Sequence, residues 1–114
     1  RKRGLPEMQW DSRVARVAQA HARDMHVRDY FSHTTPEGRT MKDRLVRGGV
    51  PYSWSGENIA WGYETPEKFM AAWMRSRGHR QNILHSKFTR IGIGWAGSKV
   101  VQNFTDGRSR ELRD

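Results

Sequence analysis

The spacing of apolar positions changes along this chain, from helical intervals in its first half to alternation near its end. Val14, Ala18, His21, Ala22 and Met25 recur every three or four residues, which predicts a helix running to about His26 with Asp11 or Ser12 as its cap. Tyr30-Phe31-Ser32-His33 then leads into Thr34-Thr35-Pro36-Glu37-Gly38, a turn signal. Thr40 followed three residues later by Asp43 resembles a capping box, and predicts a short helix carrying Met41, Leu45 and Val46 that stops at Gly48-Gly49. Tyr52 to Tyr63 is aromatic and glycine-rich, and reads as irregular backbone or short strand.

Thr65-Pro66 marks the next helix start, with a hydroxyl at the cap and proline in the first turn. Phe69, Met70, Trp73 and Met74 form its apolar stripe as far as Gly78, and Asn82-Ile83-Leu84 adds a further helical turn. The pattern then alternates. Ile91 to Trp95 and Lys99 to Phe104 read as strands, joined by a hairpin at Ala96-Gly97-Ser98, and Asp106 to Asp114 reads as a charged tail. The expectation is one α+β domain.

Composition narrows the chemistry. A chain of 114 residues fits one domain, and its 35% hydrophobic content is supplemented by five Trp, four Phe and three Tyr that each bury a large area. The absence of cysteine excludes disulfides and thiolate metal sites. No apolar run reaches the length of about 18 residues needed to span a membrane as a helix. Arg1-Lys2-Arg3 is expected to continue a helix begun upstream, and the missing initiator Met suggests a fragment whose upstream part, for example a signal peptide, is missing. The formal charge of +9 favours anionic partners such as envelope polymers or lipid headgroups. No recognition helix, zinc finger or aromatic ribonucleoprotein motif points to specific nucleic-acid binding.

Gly92-x-Gly94-x-x-Gly97 satisfies a dinucleotide-binding string, but strand residues surround the glycines and no helix opens after them. A glycine-bearing hairpin against an aromatic core explains it better. His21 falls on the apolar face of the first helix and reads as a hydrogen-bonded core imidazole. His26 lies near that helix's C-terminus, where the dipole favours a cation, and His85 sits in polar company. His33, Glu57 and His79 differ, because each follows a small residue (Ser32, Gly56 or Gly78) that leaves room to reach a shared cleft. Two imidazoles and a carboxylate that converge could bind a metal, move a proton or hold a polar ligand.

The series Gly4-Leu5-Pro6, Trp10-Asp11, Ala18-Gln19-Ala20-His21-Ala22, Tyr30-Phe31-Ser32-His33-Thr34, Gly56-Glu57-Asn58-Ile59-Ala60, Ala72-Trp73-Met74, Gly78-His79-Arg80-Gln81-Asn82-Ile83-Leu84, Ile91-Gly92-Ile93-Gly94 and Val101-Gln102-Asn103-Phe104 resembles bacterial members of the CAP superfamily, also called SCP domains. The resemblance implies an α-β-α sandwich with a central cleft over residues 1–105, and an extracellular, periplasmic or cell-envelope location. It also implies a cleft tetrad of two His and two Glu, whose histidines bind a divalent cation such as zinc. By motif His33, Glu57 and His79 fill three places, with His33 and His79 as the metal ligands, and Ser76 stands where the second Glu is usual.

Three functions follow. The first is a binding module for a lipid, glycan, peptide or protein. The second is a metal-dependent hydrolase using His33, Glu57 and His79, although no activated nucleophile accompanies them. The third is a basic scaffold that adheres to anionic envelope polymers. The binding module leads, because a reduced tetrad weakens catalysis without removing the cleft.

Overall fold

A computed structural model of the chain describes residues 8–62, 66–75 and 87–107. In chain order these form β1 (Gln9–Trp10), α1 (Ser12–Val27), α2 (Met41–Arg47), β2 (Ser55–Trp61), α3 (Pro66–Arg75), β3 (Arg90–Ala96) and β4 (Lys99–Thr105). The caps explain the helix starts. The Asp11 carboxylate accepts from Arg13 N and Val14 N, which satisfies two of the free amides of the first turn of α1. Thr40 and Asp43 form a reciprocal capping box at α2, as their spacing predicts.

The sheet is mixed, in the order β1-β3-β4-β2, with β1 parallel to β3 and the other pairs antiparallel. The short β1 is an addition to the sequence reading, since two residues carry no alternation to detect. The glycine-rich stretch before Trp61 resolves into β2, a full strand along β4. Alternation along these strands sorts side chains onto two faces. Glu57, Ile59, Val101 and Asn103 share the face covered by α1, where Ile59 and Val101 pack with Ala18, Ala22 and Met25. On the other face Ala60 and Val100 meet Phe69 and Trp73 of α3, and the Trp73 indole donates to Ile59 O at 3.2 Å. The layers are therefore α1 and α2, the sheet, and α3.

Gly92 and Gly94 correct one expectation. They face α1 rather than the aromatic core: a Cβ on Gly92 would stand 2.1 Å from Ala15 N, and one on Gly94 2.2 Å from Gln19 Cα. These two glycines let the α1 backbone lie directly on β3. Gln19 locks the contact by donating to Trp95 O at 2.9 Å and accepting from Trp95 N at 2.8 Å. The short helix α2 carries Met41, Leu45 and Val46 as expected, with Leu45 fully buried and Val46 67% exposed. At the end of β4, Asp106 Oδ1 accepts from Ser53 N and Asp106 N donates to Trp54 O, tying residue 106 to the loop before β2.

Candidate functional site

The site is built around one buried carboxylate. Gly56-Glu57-Asn58 lies in β2, directly opposite Asn103 and Phe104 of β4, so the Glu57 side chain points to the helix-covered face beside Asn103. The helix α2 crosses that face. Met41, Arg44, Leu45 and Gly48 recur at helical spacing, so Arg44 is carried inward with Leu45. The segment after α1 brings His33 in from the third side.

Glu57 accepts four hydrogen bonds from these neighbours. Its Oε1 takes His33 Nδ1–H at 2.8 Å and Arg44 Nη2–H at 3.0 Å; its Oε2 takes Arg44 Nη1–H at 2.7 Å and Asn103 Nδ2–H at 2.9 Å. The Arg44 pair is bidentate, the strong form of carboxylate recognition. Arg44 Nη2 also donates to His33 O at 2.6 Å, so one guanidinium fixes both the carboxylate and the backbone of the imidazole it holds.

Burial by itself would push the Glu57 carboxyl up, but the hydrogen bonds from His33, Arg44 and Asn103 and the Arg44 charge outweigh it and hold the group at about 2. Glu57 is therefore an anion throughout the neutral range. An ionised carboxylate is acceptor-only, so His33 Nδ1 carries the proton and, in the neutral ring, Nε2 presents a lone pair. The exposures match these roles: the Glu57 side chain is 3% exposed and that of His33 is 55% exposed. A carboxylate that orients an imidazole through Nδ1 and leaves Nε2 outward is also the outer-shell arrangement of histidine metal ligands.

The structure thus brings His33 and Glu57 together, as the sequence reading expects. His79, Ser76 and His85 lie outside the described residues, as do Arg1 to Arg3 and the Asn82-Ile83-Leu84 turn. His21 is a buried imidazole whose Nε2–H donates to Ser32 O at 2.8 Å, which holds the segment leading to His33. Burial, and then the Arg44 charge, push its pKa down. Two contributors escaped sequence reasoning. Arg44 was hidden among 21 basic residues, although its helical spacing with Met41 and Leu45 was a usable signal. Asn103 could be placed only once β2 and β4 were in register. Among the described residues no cluster of three or more His, Asp or Glu side chains is arranged to hold a metal, and both Glu57 oxygens are engaged by donors.

Comparison with known proteins agrees with this architecture. The model of the cysteine-rich secretory protein family, CAP, matches residues 1–105. The chain is 42% identical over 105 residues to the uncharacterised protein YkwD of Bacillus subtilis, and 39% identical over 103 residues to the uncharacterised membrane protein YlbC of the same organism. In each case 90% of this chain is matched, but it spans only 41% of YkwD and 30% of YlbC. Among solved structures, an extracellular protein containing an SCP domain from Bacillus anthracis superposes with a TM-score of 0.86 at 40% identity, covering 89% of this chain and 34% of that one.

Proposed function

The chain belongs to the cysteine-rich secretory protein (CAP) family, and from that premise we propose that it acts outside the cytoplasm as a binding module whose cleft presents His33 to a polar ligand. The observation that carries this reading is the set of four hydrogen bonds on Glu57. A general base works best with a pKa near the operating pH and a free lone pair aimed at its substrate. Glu57 sits at about 2, and its oxygens are occupied by donors. It serves instead to hold His33 in one tautomer and one orientation. That argues against a hydrolase with Glu57 as base, and for recognition through His33 Nε2. The extracellular location draws on the Bacillus anthracis structure, whose protein is described as extracellular.

A divalent cation such as zinc is one ligand that suits this arrangement. His33 Nε2 would be a first ligand and His79 the second, with Glu57 as the outer-shell partner of His33 rather than a ligand. When bound, such an ion would supply Lewis acidity and open coordination positions for a further donor. Lipids, glycans, peptides, proteins and anionic envelope polymers are the partner classes left for the cleft and the basic surface. Calorimetric titration with zinc at pH 7.5 and 5.5, wild type against His33→Ala, tests the metal-dependent form of the reading. Binding at pH 7.5 that weakens at pH 5.5 and disappears in the variant is expected, since a protonated imidazole cannot coordinate. Equal binding by the variant would overturn the role given to His33.

A further inference from the structure

A second pocket, of about 390 Å³, opens where α1 faces α2 and the turn before it. Neither His33 nor Glu57 lines it, so it stands apart from the cleft reading above. Six arginines do: Arg13 and Arg16 on α1, Arg28 just beyond it, Arg39 in the turn, and Arg44 and Arg47 on α2. Gly48 lets the end of α2 lie close against α1 at the floor of this groove, since a Cβ there would meet Val17 Cγ2 at 2.5 Å.

Part of this charge is answered internally. Arg28 pairs with Asp24 and Glu37, the two carboxylates of the lining, and Arg44 pairs with Glu57 behind the wall. Asp43 lies within electrostatic reach of Arg39 and Arg47 but already serves the Thr40 cap. Arg13, Arg16, Arg39 and Arg47 form no ion pair with any described residue. Guanidinium groups gathered around a concave space repel one another, and an anion relieves that repulsion.

We propose that this pocket is a phosphate site that takes a small anion carrying two adjacent phosphate groups. Arg13 and Arg16 on one wall, and Arg39 and Arg47 on the other, carry planar forks of the kind that bind phosphate oxygens two at a time. The volume lies at the small end of the range for ligand pockets, about 300–1,000 Å³, which suits a diphosphate rather than a large cofactor.

The test is calorimetric titration of the intact chain with inorganic pyrophosphate, and in parallel with a poly(glycerol phosphate) chain, at low and at physiological salt. Arg16→Ala combined with Arg47→Ala is compared with Arg23→Ala, an exposed α1 arginine outside the lining. Pyrophosphate binding that weakens about tenfold or more in the double variant and stays within about twofold in Arg23→Ala is expected, from the loss of charge-assisted hydrogen bonds. Binding of the polymer alone, with the same dependence on Arg16 and Arg47, would keep the phosphate site but overturn the small-anion assignment. Failure of both probes to bind, or an equal loss in Arg23→Ala, would overturn the site itself. None of these variants touches His33 or Glu57, so the result is separable from the cleft reading.

Discussion

Replacing Glu57 with Gln keeps the size of the side chain and removes its charge, which isolates the electrostatic role of the clamp. In the wild type the carboxylate accepts from four donors among the described residues: His33 Nδ1, two Arg44 nitrogens and Asn103 Nδ2. An amide must place its own NH₂ against at least one of them, and it leaves the Arg44 guanidinium, 10% exposed, without a counter-charge. Removing one partner of a buried ion pair costs roughly 3–5 kcal/mol. The pH dependence gives a second magnitude. The Glu57 carboxyl lies at about 2 in the folded chain against 4.5 ordinarily, a difference that amounts to about 3 kcal/mol. Because the folded value is the lower one, this stability is fully present above about pH 4.5 and is lost as pH falls toward 2. Urea unfolding followed by circular dichroism, at intervals between pH 7 and pH 2, reads both quantities. Glu57→Gln should be less stable than wild type by roughly 3–5 kcal/mol at pH 7, with the gap narrowing by about 3 kcal/mol on acidification. The difference between the two proteins is the relevant readout, since other carboxyls also titrate: hydrogen bonds from Arg28 lower Glu37, and they lower Asp24 as well. A gap below about 1 kcal/mol at pH 7, or one that stays constant with pH, would refute the clamp.

Two substitutions probe how the scaffold positions this site. Gly94→Ala places a methyl against the α1 backbone at Gln19, where no side-chain rotation can make room, and should destabilise by about 2 kcal/mol or more in the same urea assay; a neutral result would refute the close packing of α1 on β3. Asp11→Ala removes the α1 cap and a 3.5 Å contact with Arg90, and should cost about 1 kcal/mol, seen as a lower urea midpoint with an unchanged slope.

Much of the fold was legible because local rules and tertiary packing agree. The Asp11 cap, the Thr40–Asp43 box and the alternation around the Gly97 hairpin each specify an element within a few residues. Gly92 and Gly94 were visible as a motif, but their purpose was not, since it depends on a helix 70 or more residues earlier in the chain. For the site, residue type singled out His33 and Glu57, and the family resemblance implied that they meet. Arg44 and Asn103 stayed unassigned for a physical reason. A buried arginine is indistinguishable in sequence from its exposed neighbours until a helix face is assigned, and a cross-strand asparagine until a register is fixed.

The central claim is that an ionised Glu57 holds His33 as the Nδ1–H tautomer, with Nε2 free for a ligand. Long-range ¹⁵N–¹H correlation spectra of the imidazole side chains, recorded at a pH where the ring is neutral and assigned with His33→Ala, test it directly. The account predicts a protonated Nδ1 and a pyridine-like Nε2 for His33, reverting toward the solution tautomer mixture in Glu57→Gln. A protonated Nε2 in the wild type would contradict it.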